Sequence, residues 1–482
     1  MKTLKDILYK VSLLAVKGDT ETHINQLVFD SRKASPKSVF VALKGEQADG
    51  HLFIQKAIDL GASAVVCEVL PEILPENVQF VQVKNSAEAL AIMAANFYDR
   101  PSEKLKLVGV TGTNGKTTTA SILYELFQKL GYRVGLLSTI RYLINGEEFD
   151  ASHTTPDVLT INEFLAKMLK AGCTHCFMEV SSHALVQHRV TGLDFDGAIF
   201  SNITHDHLDY HKTFAEYIKA KKLFFDRLKP QAFALVNKDD KNGMVMLQNC
   251  KAKQHSFALK TDADFKAKIH AHSFEGLALE IDAQTVWFRL IGEFNAYNLM
   301  GIYGAAVLLG EKPEDVLTAL SECGTAKGRF EILISPKNTY AIVDYAHTPD
   351  ALENVLKTIA QLRTQNEQLI TVVGCGGNRD ATKRPIMADI ACRFSNTVIL
   401  TSDNPRFEEP EAIIEEMKMG VKPQDFRKVK IEADRRKAIQ MAFELAKPHD
   451  IILVAGKGHE NYQEIKGVKY PFDDQEELKK LF

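Results

Sequence analysis

The chain reads as an α/β protein of three domains, with a mainly parallel sheet in the central one. Three observations predict this class. Short apolar runs bounded by turn residues alternate with helical patterns, as parallel strands covered by helices require. A strand pattern, a glycine turn and a helix start follow one another at 107–119. The length of 482 residues exceeds what one core serves, since domains run to about 150 residues each.

The first unit is expected over 1–100. Its strand candidates are 38–43 and 62–69, and a helical pattern at 87–98 closes it. Arg100 and Pro101 follow as a linker, because proline restricts the residue before it and stops helices. The central unit, 101–327, opens with an apolar run at 105–110, the glycine turn, and a helical pattern at 117–130. Further strands are expected at 133–138, 175–180, 197–202 and 232–236, with helices between them. The last unit, 328–482, repeats the style with strands at 340–344, 369–374, 396–401, 428–431 and 451–455.

Composition narrows the function. Hydrophobic residues make up 45% and charged ones 25%, the balance of a soluble globular chain. A net charge of -3 provides no overall attraction to nucleic acid or anionic membranes, so anionic ligands need local sites. Charges are scattered through the first residues, and no stretch approaches about 18 uncharged apolar residues, so neither a signal peptide nor a membrane span is expected. The seven cysteines are odd in number and far apart, which speaks against a disulfide framework. Cys173 and Cys176 form a lone C-x-x-C that reads as strand packing. The expected compartment is the cytoplasm.

The run LVGVTGTNGKTTT at 107–119 carries the most chemistry. Glycines at Gly112 and Gly115 let backbone N–H groups, those of Thr113 and Asn114 among them, close on phosphate oxygens. Lys116 can reach the outer phosphates, and the Thr117 or Thr118 hydroxyl can ligate magnesium. The spacing departs from the usual phosphate-loop pattern, because Val110 stands five residues before Gly115.

A second anomaly lies at 214–228, an amphipathic helix pattern. At about 100° per residue, Phe214, Tyr217, Ile218, Phe224, Phe225 and Leu228 fall within roughly 60° of Lys221. Lys212, Glu216, Lys219 and Asp226 occupy the far side. Lys221 therefore projects from the apolar stripe. Two readings stay open: a lysine that snorkels its ammonium to the surface, or a desolvated neutral amine able to form a carbamate with carbon dioxide.

Eleven motifs in order resemble the Mur ligases over most of the chain, in particular the branch that adds the third peptide residue. They are GTNGKTT (112–118), HTTPD (153–157), MEVSSHALVQHRV (178–190), THDHLDYH (204–211), AKKLFF (220–225) and GEFNAYN (292–298), then GRFE (328–331), DYAHTPD (344–350), GCGGNRD (374–380), DNPR (403–406) and GKGHE (456–460). The resemblance implies an N-terminal domain for a UDP moiety, a central ATPase domain and a Rossmann-like C-terminal domain that closes over the site. It implies a monomer that uses ATP and magnesium and binds no nucleic acid or membrane.

By the same resemblance, Glu179, His207 and Thr117 would hold magnesium, with Lys221 carbamylated as a further anchor. His153, Thr154, Thr155, Ser181, Gln187 and Arg189 would hold the muramoyl dipeptide. Ser31, Glu46, Gln47 and Ala48 would meet the uridine end. Asn295 resembles the adenine-facing position, and Arg329, Asp344 and His347 would meet the nucleotide on closure. DNPR (Asp403, Asn404, Pro405, Arg406), with Arg379, Gly456 and Glu460, resembles the pocket for meso-diaminopimelate. Alone, DNPR would read as a turn. The implied reaction is ATP-dependent extension of a UDP-N-acetylmuramoyl dipeptide at its D-glutamate end. A related ligase of folate polyglutamylation fits less well, because it has no use for HTTPD and EVSSHALVQHR.

Overall fold

The computed structural model describes residues 2–45, 48–204, 206, 208–364 and 366–482. Among these residues three main sheets form, with two short hairpin-like pairs beside them. The first sheet orders its five strands as Leu13–Lys17, Gln79–Val83, Ala64–Cys67, Ser38–Val41 and Gln26–Val28. Only the Leu13–Lys17 edge is antiparallel. Continuous apolar runs such as Ala-Val-Val-Cys at Ala64–Cys67, buried at all four positions, suit strands covered on both faces.

The central sheet has eleven strands. Its parallel middle runs Val134–Leu137, His175–Glu179, Lys106–Thr111, Gly197–Phe200, Phe233–Asn237 and Lys253–Ala258, with Phe265–Ser273 beginning in the same sense. Alternate side chains of Lys106–Thr111 feed two cores. Val108 and Val110 pack under the helices Lys116–Lys129 and Glu293–Leu308, while Leu107 joins the opposite core with Tyr217, Phe224 and Phe225. Both faces are thus covered by helices, as a doubly wound parallel sheet demands.

Two antiparallel wings extend this sheet beyond the sequence expectation: the Arg141–Ile144/Glu147–Asp150 hairpin, and the Phe265–Ser273, Gly276–Ile281, Gln284–Phe288 meander. The outer strands mix charged and apolar residues, as in FKAKIHAHS, because one face meets solvent. That pattern is weaker than the apolar runs of the sheet centre. The third sheet orders Glu331–Ile334, Tyr340–Asp344, Ile451–Ala455, Leu369–Val373, Thr397–Leu400 and Val429–Ile431, parallel except at the first pair. Cys173 and Cys176 are free thiols buried in the central core. Among the described residues, no helix is long and apolar enough to cross a membrane.

Candidate active site

Parallel strands deliver their following loops to one edge, and the central sheet gathers its polar residues there. Lys106–Thr111 lies between His175–Glu179 and Gly197–Phe200, with Glu179 in register with Val110 and Phe200 with Thr111. The chain turns sharply after Thr111. Gly115 has φ +87°, and a Cβ there would come within 2.3 Å of Asn298 Oδ1, so glycine is required on both counts. The Ser201 hydroxyl and the Asn202 amide donate to Asn114 O at 2.6 and 3.1 Å, and Asn114 N donates to Asn202 Oδ1 at 2.9 Å. The helix Lys116–Lys129 starts immediately afterwards, aiming its free N–H groups at the loop. Thr117 and Thr118 are buried in its first turn.

Lys116 and Lys221 meet at one atom. Lys116 Nζ donates to Gly112 O at 2.9 Å and to Thr113 O at 2.8 Å. Lys221 Nζ, on the Phe214–Asp226 helix, donates to the same Gly112 O at 2.8 Å. Lys221 is only 1% exposed and lies 4.7 Å from the centre of the Tyr217 ring. Of the two sequence readings, the snorkelling lysine is therefore overturned, since the ammonium ends inside the protein. Burial lowers the Lys221 pKa well below the ordinary lysine value, and the neighbouring Lys116 charge lowers it further. Loss of solvent also lowers Lys116, opposed by the Glu179 and Asp206 carboxylates.

Glu179 is wholly buried. Its carboxylate accepts from Thr117 Oγ1 at 3.0 Å and Thr139 N at 2.7 Å. A buried carboxylate beside a threonine hydroxyl is a hard oxygen donor set, which fits a divalent ion near Thr117. Among the described residues no group of three or more His, Cys, Asp or Glu side chains converges. His207, expected as a ligand, lies outside the described residues, as do Glu46 and Gln47.

The muramoyl candidates form a connected patch beside Glu179. Thr155 Oγ1 donates to Glu179 O at 2.8 Å and accepts from Ser181 N at 3.0 Å. Arg189 reaches Thr155 O at 2.8 Å through NH1 and Gln187 Oε1 at 2.6 Å through NH2. Thr154 Oγ1 accepts from Thr139 Oγ1 at 3.1 Å, while His153 is exposed beside Ser152. Ser31 and Ala48 belong to loops of the first sheet. Ser31 is buried in the turn Ser31–Lys33, and Ala48 is exposed, its carbonyl accepting from Gly45 N.

The third sheet supplies the other half. Arg329 NH2 donates to Thr117 Oγ1 at 3.1 Å, and its guanidinium stacks 4.7 Å from the Tyr345 ring centre. Asp344 ends Tyr340–Asp344 and accepts from Phe330 N at 2.7 Å. Burial raises its pKa to about 6, although Arg329 opposes the shift. His347 is exposed at the cavity wall, its Nδ1 lies 2.9 Å from Tyr345 O, and the protein around it and the Lys383 charge lower its pKa. Asn295 sits behind the loop, bonded to Ile291 O at 2.8 Å and to Asn298 at 2.9 Å, and is 3% exposed.

DNPR is both a turn and part of a pocket. Arg406 adopts φ +53°, uncommon for a residue with a Cβ. Its Nε pairs with Glu464 Oε2 at 3.3 Å, and NH1 donates to Gly377 O at 2.9 Å. Pro405 is buried, and its carbonyl accepts from Glu408 N at 3.0 Å. Asn404 Nδ2 and Lys457 Nζ donate to Glu460 Oε2 at 2.8 and 3.1 Å. Burial and then the Asp403 charge raise the Glu460 pKa. Glu460 thus pairs with the buried Lys457 and lies near the Asp403 carboxylate, in the field of the buried Arg435 guanidinium. Gly456 admits the Asp403 side chain, since a Cβ there would lie 2.7 Å from Asp403 Oδ2.

One cavity of about 470 Å³ runs from the phosphate loop and Glu179 to Arg379, Arg406 and Glu460. Asp206, Thr139, His183 and Lys383 also line it and were not expected from the sequence. Asp206 stood in view between two histidines of THDHLDYH.

A phosphate loop whose cavity opens onto a charged pocket of a second sheet defines a nucleotide-dependent group-transfer enzyme. Sequence profiles agree with this class. That of the Mur ligase family catalytic domain matches residues 23–98, the Mur ligase middle domain 110–306, and the Mur ligase glutamate ligase domain 328–458. The chain is 60% identical over 479 residues to the UDP-N-acetylmuramoyl-L-alanyl-D-glutamate--2,6-diaminopimelate ligase of Cytophaga hutchinsonii, covering 99% of this chain and 98% of that one. The enzyme of the same name from Phocaeicola vulgatus is 53% identical, with 99% of each chain covered. A solved structure of a ligase with that name superposes with TM-score 0.70 at 32% identity, covering 100% of this chain and 99% of the other. The chain belongs to the Mur ligase family.

Proposed function

We propose that this chain is an ATP-dependent ligase that joins meso-2,6-diaminopimelate to UDP-N-acetylmuramoyl-L-alanyl-D-glutamate, forming ADP and phosphate during peptidoglycan precursor synthesis. The observation that carries the proposal is the shared cavity, with phosphate-binding geometry at one end and an ionic amino-acid pocket at the other. The names borne by its relatives support the same substrates. In this account residues 1–100 hold the uridine end through Ser31, Glu46, Gln47 and Ala48, 101–327 hold ATP and the muramoyl dipeptide, and 328–482 hold the amino acid. The enzyme works as a cytoplasmic monomer.

A carboxylate is a poor acyl donor because oxide leaves badly. The D-glutamate carboxylate oxygen attacks the γ-phosphorus of ATP, the bond to the bridging oxygen breaks, and ADP leaves. Positioning and charge neutralisation carry this step. Lys116 exchanges its bonds to Gly112 O and Thr113 O for phosphate oxygens. The amine of diaminopimelate, having given its ammonium proton to water, then attacks the acyl carbon and releases a second proton to water as the C–N bond forms. The tetrahedral intermediate collapses to amide as phosphate departs with the C–O electron pair. Lys116 offsets the negative charge of that intermediate. Magnesium, when held by Glu179, Thr117 and His207, would neutralise phosphate charge. Two ammonium groups cannot comfortably share Gly112 O, which favours a neutral Lys221 amine; its nitrogen adds to carbon dioxide and gives a proton to water, leaving a carbamate anion. Arg189, Gln187, Thr154, Thr155 and Ser181 position the dipeptide, and Asn295, Arg329 and Asp344 the nucleotide.

Amino-acid choice tests the assignment. Diaminopimelate carries a distal carboxylate that lysine lacks, and Arg406 is placed to bind it. Because Glu464 already pairs with the guanidinium, lysine leaves it less exposed to an unpaired-charge penalty than a lone arginine would suffer. Wild-type enzyme should still prefer diaminopimelate by about 30-fold or more in kcat/KM. Arg406→Ala should lose most of that preference by weakening diaminopimelate use, with lysine use little changed. Equal use of both amino acids by the wild type would show that DNPR is only a turn.

A further inference from the structure

One carboxylate outside the cavity joins the two halves of the site. Asp350 occupies the first turn of the helix Pro349–Leu362, behind the N-cap Thr348 and three residues after His347. Its Oδ2 accepts from Asn114 Nδ2 at 2.7 Å, from Thr204 Oγ1 at 3.1 Å, and from Asn354 Nδ2 within its own helix at 3.3 Å. The first two donors belong to the central sheet. Asn114 is the loop residue two before Lys116, and its backbone is fixed on both sides by Ser201 and Asn202. Thr204 N donates to Thr113 Oγ1 at 3.0 Å, so Thr204 is tied to the same loop, and it opens the THDHLDYH segment that carries Asp206.

We propose that Asp350 is a positioning residue that latches the C-terminal sheet onto the phosphate loop, so that Arg329, Asp344 and the amino-acid pocket are held over the bound nucleotide. A single oxygen collecting donors from both flanks of the loop defines one relative placement of the two sheets. Asp350 itself does not line the cavity, whereas Thr348 and Ala351 on either side of it do. It therefore acts through Asn114 and Thr204 and not on substrate. Delivery of the amine requires the third sheet in place, while the nucleotide phosphates are held mainly by the loop, with Arg329 adding a lesser contact on closure. Loss of the latch should slow turnover and leave nucleotide affinity largely intact. This inference rests on the ligase reading for its kinetic consequence only.

The test uses the full chain with Asp350→Ala and Asp350→Asn, the latter keeping a carbonyl acceptor. In the complete reaction Asp350→Ala should reduce kcat by about tenfold or more, while ADP affinity, measured by calorimetric titration, changes by less than about threefold. Small-angle X-ray scattering of the ADP-loaded protein should give a larger radius of gyration for Asp350→Ala than for wild type. Asp350→Asn should recover most of the rate, and Thr204→Val should add little to the loss in an Asp350→Ala background. An unchanged kcat, a loss of ADP affinity equal to the loss of kcat, no recovery in Asp350→Asn, or an additive double variant would each overturn the latch. If instead the wild type shows no amino-acid-dependent ADP release, the ligase reading fails, and the affinity and scattering measurements still decide the latch.

Discussion

Lys116→Ala should abolish nearly all turnover while leaving the fold intact. The side chain makes its hydrogen bonds to Gly112 O and Thr113 O, carbonyls of a loop that Asn202, Ser201 and Gly115 already shape. Its removal therefore takes a charge from the phosphate site without opening a core cavity. Losing one preorganised charge contact at a developing anion costs several kcal/mol of barrier, on the order of 100-fold or more in rate. Steady-state ADP release by the purified variant, together with its thermal midpoint, checks both halves. Near-normal activity would remove the loop from the chemistry.

Lys221→Ala should be as inactive, for a different reason. Here the side chain is buried against Tyr217 and the loop backbone, where an ammonium is poorly solvated. Replacing a buried charge by an apolar group is often neutral or stabilising, so Lys221→Met should melt at or above the wild-type temperature. Its rate should nevertheless fall by about 100-fold or more, because the proposed carbamate can no longer form. In Lys221→Ala, a small carboxylic acid added to the assay should restore part of the rate by entering the vacated space. A neutral-pH crystal structure of active enzyme with an unmodified ammonium at Lys221 would refute the carbamate. A variant that is both active and less stable would make Lys221 structural.

The sheet centres and the phosphate loop were legible in the sequence because their signals are local. Apolar runs marked Tyr340–Asp344 and Ile451–Ala455 to the residue, and a lysine out of place on one helix face singled out Lys221, though that pattern left its burial open. The wings at Arg141–Asp150 and Phe265–Phe288 escaped because half-exposed strands dilute the apolar pattern. Contacts between distant residues left no trace either. The pairing of Arg406 with Glu464 depends on the Tyr462–Ile465 strand folding back onto DNPR, which no spacing announces. In the sequence Asp350 is only the last residue of DYAHTPD, and an acid in the first turn of a helix is common for local reasons. Only the fold brings it to Asn114, 236 residues away.

The ligase reaction is read from ADP release coupled to product mass, with each of UDP-N-acetylmuramoyl-L-alanyl-D-glutamate, meso-diaminopimelate and ATP omitted in turn. The complete mixture should yield one ADP per product molecule, and the product should be heavier than the dipeptide nucleotide by one diaminopimelate residue. Each omission should abolish that product. ADP release that continues at full rate without the dipeptide nucleotide or without the amino acid, or ADP release with no gain in product mass, would contradict a ligase and leave a nucleotide-binding protein that hydrolyses ATP.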